Sequence, residues 1–116
     1  MRSLFAHLIL FATLSAFTQA SAQDLTGVWK GNDGGAYYIR QVGDEIWWFG
    51  ENSPTAPSFS NVAHGKLAGT TIELSWGDVP KGSILQSGIL VLKIVSNTQL
   101  QALLQEGGFG GSVWTR

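Results

Sequence analysis

Residues 71–76, with the sequence Thr-Ile-Glu-Leu-Ser-Trp, alternate strictly between polar and apolar side chains. Ile72, Leu74 and Trp76 fall on one side of an extended chain, and the polar residues fall on the other. This two-residue period is typical of a β-strand with one face in a core and one face in water. The segment therefore predicts such a strand, and it is the clearest one in the chain.

Short segments of similar composition lie on both sides of this strand, separated by Gly, Asn and Asp. That spacing favours an all-β sandwich or barrel. The predicted strands are Leu25–Gly31, Ala36–Val42, Glu45–Glu51, Phe59–Leu67, Thr71–Trp76, Leu85–Val95, Gln99–Gln105 and Ser112–Arg116. For Gln99–Gln105 a helix stays open as an alternative, because Leu100, Leu103 and Leu104 also suit helical spacing.

Tight sequential connections between the eight strands predict a small antiparallel up-and-down meander. Asn32-Asp33-Gly34-Gly35 is a strong hairpin signal, because Asp-Gly and Gly-Gly tolerate positive φ. A meander of this kind must protect its edge strands, and closing the sheet into a barrel removes the edges completely. We therefore expect an eight-stranded barrel, whose interior has room for side chains or for one small ligand.

The first 22 residues have the pattern of a secretory signal peptide. Arg2 supplies the positive charge, an apolar run of about 14 residues follows from Leu4 to Phe17, and Ala20-Ser21-Ala22 has small residues at the cleavage positions. A membrane-spanning helix needs roughly 20 apolar residues, so the run is short for an anchor. We expect cleavage after Ala22, a mature domain from Gln23 to Arg116, and a secreted or periplasmic location.

Composition excludes several classes of function. The chain has seven Lys and Arg and eight Asp and Glu, and cleavage removes Arg2, so the mature net charge is −2. No basic patch is present for nucleic acid, and no polybasic stretch for a membrane surface. The absence of Cys excludes a Cys nucleophile, Cys-ligated zinc, disulfides and a lipid-modified cysteine.

The motif Thr26-Gly27-Val28-Trp29 on the first predicted strand, together with Arg116 at the end of the last, resembles the closed end of a calycin barrel. The calycins include the lipocalins, fatty-acid-binding proteins and avidins. In that superfamily the tryptophan lies across the closed end, and a basic residue of the last strand packs over it. The resemblance implies that Arg116 stacks on Trp29, a contact worth about 0.5–2 kcal/mol.

The mature chain is also similar, over nearly its whole length, to a set of small exported bacterial β-barrel proteins of uncharacterised function. The shared segments fall within residues 33–51, 76–82 and 107–114, and they include Trp47-Trp48-Phe49-Gly50-Glu51. This resemblance implies a common fold and no particular activity. The avidin-like opening does not extend to biotin binding, because Gly31 and Gly35 stand where avidins place polar groups.

Candidate catalytic residues are few and isolated. His64 is the one histidine of the mature chain, and no nucleophile elbow accompanies it. Asp33, Asp44 and Asp78 fall in predicted turns, where Asp commonly bonds the backbone. The glycines of residues 107–111 lack the following helix and Lys-Ser/Thr of a phosphate loop. The sequence therefore predicts no enzyme, no metal site and no cofactor.

Adjacent aromatic residues are the most informative feature for function. Tyr37 and Tyr38 must point to opposite faces of one strand, and Trp47 and Trp48 to opposite faces of the next. Alternation places Ile46 on the same face as Trp48, and we assign that face to the outside of the barrel. An aromatic-rich core and an exposed binding face both remain open as explanations.

The first hypothesis for function is a non-enzymatic binding protein that holds an apolar or aromatic small ligand in the open end of its barrel. Tyr38, Trp47 and Trp76 would line the pocket, and Arg40 would orient the ligand. Ligand pockets have mostly apolar walls with a few placed polar groups. This hypothesis predicts a cavity larger than roughly 300 Å³ that is open to solvent.

Two other classes of binding protein remain open. A protein-interaction module, such as a secreted inhibitor or a subunit, would use an outer aromatic face, since Trp, Tyr and Arg dominate such surfaces. A filled barrel with an exposed Trp and Tyr patch would favour that alternative. Surface tryptophans that stack on sugars would instead indicate carbohydrate binding.

Overall fold

The computed structural model describes residues 24–116, and the expected signal peptide and its cleavage site before Gln23 lie outside that range. The described chain is all-β and has eight strands. They are β1 (Gly27–Gly31), β2 (Ala36–Val42), β3 (Glu45–Glu51), β4 (Ser60–Ala68), β5 (Thr71–Asp78), β6 (Ser87–Ser96), β7 (Gln99–Gln105) and β8 (Val113–Thr115). In residues 24–116 no helix has the length and apolar character that crossing a membrane requires.

The strands form a closed antiparallel barrel in which each strand pairs with its neighbours in sequence. The barrel closes where β1 pairs with β8, through Lys30 with Thr115 and Gly31 with Trp114. The predicted eight-stranded up-and-down barrel is therefore confirmed. Closure leaves neither β1 nor β8 as a free edge.

The bounds of β2, β3 and β7 agree with the sequence prediction, and the helical alternative for Gln99–Gln105 is wrong. β7 pairs with β6 on one side and β8 on the other. Leu100 is buried, whereas Leu103 and Leu104 are exposed, so the three leucines do not share the single face that a helix would need. The backbone of β7 instead gains two ladders of hydrogen bonds.

Side chains fill the interior of the barrel. Sixteen apolar residues form the buried core, namely Leu25, Trp29, Tyr37, Ile39, Ile46, Trp48, Ala63, Ile72, Leu74, Trp76, Leu90, Leu92, Ile94, Leu100, Phe109 and Trp114. The outward assignment of Ile46 and Trp48 is therefore wrong. Trp48 pairs across the sheet with Ile39 and Ala63, which are both buried, and residues that pair across a sheet share a face.

The two ends of the barrel differ. One end, which we call the base, carries the tight turns at residues 43–44, 69–70 and 97–98. The other end, which we call the mouth, carries four longer connections at residues 32–35, 52–59, 79–86 and 106–112. An up-and-down chain places alternate connections at opposite ends, so all variation in loop length is concentrated at the mouth.

The base is closed by the stacking that the first strand predicts. The Arg116 guanidinium lies 4.4 Å from the centre of the Trp29 ring. The same group donates to the carbonyl oxygens of Asp24 at 3.0 Å, Thr26 at 3.2 Å and Asn97 at 2.7 Å. Trp29 is fully buried, and its Nε1 donates to the carbonyl of Leu25 at 2.9 Å. The predicted pairing of Arg116 with Trp29 is confirmed.

Candidate functional site

A cavity of about 240 Å³ lies at the mouth. The four mouth loops and the adjoining ends of the strands all contribute to it. Its lining residues are Asp33, Phe59, Asn61, Trp76, Asp78, Ile84, Gln86, Gly108, Phe109 and Gly110. Because these loops are far apart in sequence, the cavity exists only in the closed barrel.

Aromatic rings separate the cavity from the core below it. Phe109 packs edge-on against Trp76, with ring centres 4.8 Å apart, and lies 6.1 Å from Trp48 and 5.9 Å from Trp114. Trp76 is itself held in place, because its Nε1 donates to the carbonyl of Glu106 at 3.0 Å. Phe109 and Trp76 therefore give the cavity a fixed apolar floor.

Polar groups of the cavity are held by hydrogen bonds that begin in the core. Trp48 Nε1 donates to Asn61 Oδ1 at 2.9 Å, which fixes the orientation of an amide that is only 2% exposed. The Tyr37 hydroxyl donates to Asp33 Oδ2 at 2.5 Å, and the Gly35 amide donates to Asp33 Oδ1 at 2.9 Å. The Asp33 carboxylate is consequently fixed at the mouth by two donors.

Burial raises the pKa of Tyr37 far above its ordinary value of 10.0, because an ionised phenol has no water around it in this position. The hydrogen bond to Asp33 and the negative charges of Asp33 and Asp78 raise the pKa further, whereas a hydrogen bond with Asn61 opposes the shift. Two carboxylates from distant parts of the chain, the β1–β2 loop and the end of β5, thus act on the same hydroxyl.

We expect Tyr37 to make stability fall at alkaline pH. The folded-state pKa lies above 10.0, so the folded protein keeps a proton that the unfolded chain loses. The contribution is fully present below pH 10 and is lost as the pH rises above that value. At high pH the free energy of unfolding should fall by about 1.4 kcal/mol per pH unit from this group alone. Urea denaturation from pH 8 to 12 measures it.

A pair of variants isolates the effect. Tyr37→Phe should remove this part of the alkaline slope, although it also removes the bond to Asp33 and lowers stability at neutral pH. Tyr38→Phe changes the exposed neighbouring tyrosine and should retain the slope of the parent protein. Equal slopes in the two variants would show that Tyr37 ionises as freely as a phenol in water.

The mouth loops are held by their own hydrogen bonds. Ser60 is fully buried, its hydroxyl donates to the carbonyl of Val79 at 2.9 Å, and it accepts from the Gly82 amide at 3.0 Å. The Asn32 side chain joins the first loop to the last by donating to the Ser112 hydroxyl at 2.8 Å. These bonds fix the cavity walls before any ligand arrives.

The structure brings two of the four predicted ligand-binding residues together, because Trp47 and Trp76 both border a shallow outer depression over β3, β4 and β5. Trp76 is 5% exposed and lines the mouth cavity, whereas Tyr38 and Trp47 are exposed on the outer surface of the barrel. Arg40 is also exposed, and its charge acts on Asp24 at the base. Tyr38 and Arg40 line neither this depression nor the mouth cavity, so the four residues do not meet in either of the two. The inward positions of β2 and β3 belong to Tyr37 and Trp48, and the two-residue period turns their neighbours outward.

An outer aromatic patch, consisting of Tyr38, Trp47, Val62 and His64, lies across β2, β3 and β4. The rings of Trp47 and His64 stack at 4.9 Å with an angle of 18° between them. Trp47, Val62 and His64 line part of the shallow depression of about 370 Å³ that extends over β3, β4 and β5. The patch shows that His64 belongs to the outer surface of the barrel, away from the mouth cavity.

Charged groups at the edge of the outer aromatic patch are already paired. His64 Nε2 lies 2.7 Å from Glu45 Oε1, and Lys66 Nζ lies 3.6 Å from Glu45 Oε2. The hydrogen bond from His64, assisted by the positive charge of Lys66, lowers the pKa of Glu45. Within residues 24–116, no three side chains of His, Cys, Asp or Glu come together as a set of metal ligands.

Sequence reasoning missed Phe109 and Asn61 as cavity residues. Phe109 is the one large apolar residue between two pairs of glycines, and that contrast was the available signal for an inserted side chain. Asn61 gave no signal, because a polar residue on a strand is normally assigned to the solvent face. The structure also leaves one buried polar atom without a partner among the described residues, the Nε1 of Trp114 below Phe109.

Comparisons with known proteins add no assignment to this geometry. No family model matches the chain, no curated protein matches it, and no solved structure matches it. The mouth cavity and the outer aromatic patch are therefore the features of the barrel that bear on function. The relation to the calycin superfamily, which the first strand suggested, stays a prediction.

Proposed function

We propose that this chain is an exported, non-enzymatic binding protein that holds a small ligand at the mouth of its barrel. The observation that carries the proposal is the convergence of four loops on one cavity with an apolar floor and fixed polar walls. Concave sites of this composition are where proteins bind small molecules. Phe109 and Trp76 would contact the apolar part of the ligand, and Asp33 and Asn61 would contact its polar part.

The size of the cavity limits the ligand. A volume of about 240 Å³ lies below the roughly 300 Å³ that the sequence-based hypothesis required and at the small end for ligand pockets. The core below is filled, so the ligand does not enter the barrel as it does in a hollow one. The proposed ligand is therefore a compact molecule with one aromatic or apolar group, enclosed on one side and open to solvent on the other.

A protein-interaction module is the second candidate, and the outer aromatic patch favours it. Tyr38 is 47% exposed and Trp47 is 42% exposed on a barrel whose interior is filled. Exposed aromatic residues of this kind commonly anchor protein interfaces. We rank this candidate below the mouth site, because the depression at the patch is more open to solvent than the mouth cavity, and Glu45, His64 and Lys66 at its edge are already paired with one another.

A ligand titration followed by NMR tests the first proposal. The probes are fragment-sized aromatic compounds in three forms, which are benzylammonium, benzyl alcohol and benzoate. The indole N–H of Trp76 and the amides of Gly108 and Gly110 should shift on binding at least one probe. The indole N–H of Trp47 on the outer aromatic patch should stay unchanged and serves as the internal control.

A blocking variant sharpens the test. A β-carbon added at Gly110 meets no atom within 4 Å, so Gly110→Leu should fill part of the cavity without disturbing the fold. It should abolish the shifts, whereas Val62→Ala on the outer aromatic patch should leave them intact. If no probe shifts any mouth resonance, the proposed function fails. If Trp47 responds instead, the outer aromatic patch is the binding surface.

A further inference from the structure

The proposed function leaves open the charge of the ligand, and two carboxylates at the mouth bear on it. Asp33 comes from the loop between β1 and β2, and Asp78 ends β5, yet both line the same cavity. Among the described residues that line this cavity, these two carry the only charged side chains. The walls are therefore negative, and their negative charge comes from opposite sides of the barrel.

Neutral groups hold both carboxylates and do not cancel their charge. Among the residues that the structure describes, Asp33 accepts from the Gly35 amide and the Tyr37 hydroxyl. Asp78 Oδ2 accepts from the Gln86 amide at 2.9 Å. A carboxylate has about four acceptor positions on its two oxygens, so each group keeps capacity for a further donor.

Lys81, in the mouth loop of residues 79–86, is already paired with other groups. Lys81 donates to Glu51 Oε1 at 2.6 Å and to the carbonyl of Pro54 at 3.0 Å. Glu51 is only 7% exposed, so the opposite charges of Lys81 and Glu51 neutralise each other at a partly buried position. Lys81 does not line the cavity, and Asp33 and Asp78 are left without a partner of opposite charge on its wall.

The remaining walls suit a positive charge as well. Phe59, Trp76 and Phe109 surround the cavity, and aromatic rings attract cations through their negative faces. Partial enclosure strengthens such attraction, because charges interact more strongly away from bulk water. An anion would meet two carboxylates and three aromatic rings, and the only neutral donors that line this cavity are the side-chain amides and backbone groups.

We propose that the mouth cavity selects an organic cation, in which an ammonium or guanidinium group contacts Asp33 and Asp78 and an attached apolar or aromatic group contacts Trp76 and Phe109. This inference rests on the proposed function, since it names the class of ligand for the same site. Asp33 and Asp78 then act as binding residues, and Asn61, held by Trp48, adds a neutral polar group to the cavity wall.

Isothermal titration calorimetry with three matched probes tests the selection. Benzylammonium should bind at least about tenfold more tightly than benzyl alcohol, and benzoate should bind most weakly. The advantage of the cation should shrink as ionic strength rises, because salt screens the attraction of partly exposed charges. Asp78→Asn should reduce the advantage several-fold while the affinity for benzyl alcohol stays the same.

Two further variants control the interpretation. Glu73→Gln removes the same charge from an exposed position on β5 and should leave the preference intact. Asp33→Asn removes the charge of the other carboxylate. Its melting curve shows whether the loss of the hydrogen bond from Tyr37 has changed the fold. Equal binding of benzylammonium and benzyl alcohol overturns the charge selection and leaves the binding function standing. Binding of none of the probes overturns the binding function itself.

Discussion

Trp29→Ala is expected to lower the free energy of unfolding by about 3–5 kcal/mol, the usual cost of removing a large aromatic side chain from a core. Trp29 is fully buried at the base, donates to the Leu25 carbonyl and supports the guanidinium of Arg116. Its removal leaves a cavity that β1 cannot close, because the strand is held between β2 and β8. Urea denaturation followed by far-UV circular dichroism measures the loss.

A graded series separates packing from stacking at Trp29. Trp29→Phe retains much of the volume and should cost clearly less than the alanine variant. Arg116→Ala removes the stacked cation and three hydrogen bonds but leaves the buried ring in place, and it should cost about 1–2 kcal/mol. A loss of less than about 1 kcal/mol for Trp29→Ala would show that the indole does not close the base.

Gly65→Ala is the second substitution with a large expected effect, a loss of about 3 kcal/mol. Gly65 lies in β4 opposite Leu74, and the backbone of β5 passes directly against it. A β-carbon at this position would overlap the carbonyl oxygen of Glu73 and lie 2.9 Å from the Cα of Leu74. Both atoms belong to backbone, which cannot rotate away, so the cost lies at the upper end of that for overpacking.

The matched control for Gly65→Ala is Gly77→Ala. Gly77 lies in β5 of the same sheet, and its nearest contact for an added β-carbon is Ser87 Cβ at 3.8 Å, an ordinary packing distance. That variant should change the free energy of unfolding by less than about 1 kcal/mol. Melting curves compare the stabilities of the two variants. Similar stabilities would mean that β4 can shift to accept the methyl group.

The architecture was predictable because the decisive signals are local. Alternation in Thr71–Trp76 and the Asp33-Gly34 turn each specify a strand or a hairpin without reference to the rest of the chain. The pairing of Arg116 with Trp29 was expected from the resemblance to calycin barrels, and closure allows it because the first and last strands become neighbours. The choice between strand and helix for Gln99–Gln105 depended on its partners β6 and β8, so periodicity alone left it open.

The candidate site was predictable only in part, because a cavity depends on which face of each strand turns inward. Trp47 and Trp48 give a strand two equally apolar faces, and nothing local decides between them. The structure resolves the choice through cross-strand partners, since Trp48 meets Ile39 and Ala63 while Trp47 meets Arg40 and His64. The wrong face on β3 moved Trp47 into the predicted pocket, whereas Phe109 was missed because it lies in a loop, where strand alternation gives no information.

The pairing of β1 with β8 also sets the order in which the barrel can assemble. Every other pair of strands joins neighbours in sequence and closes a much shorter loop, whereas Gly31 meets Trp114 across most of the chain. The entropic cost of closing a loop grows with its length, so we expect this seam to form last. Until then β1 and β8 are open edges that can pair with another molecule, which makes the rate of ring closure a determinant of aggregation during refolding.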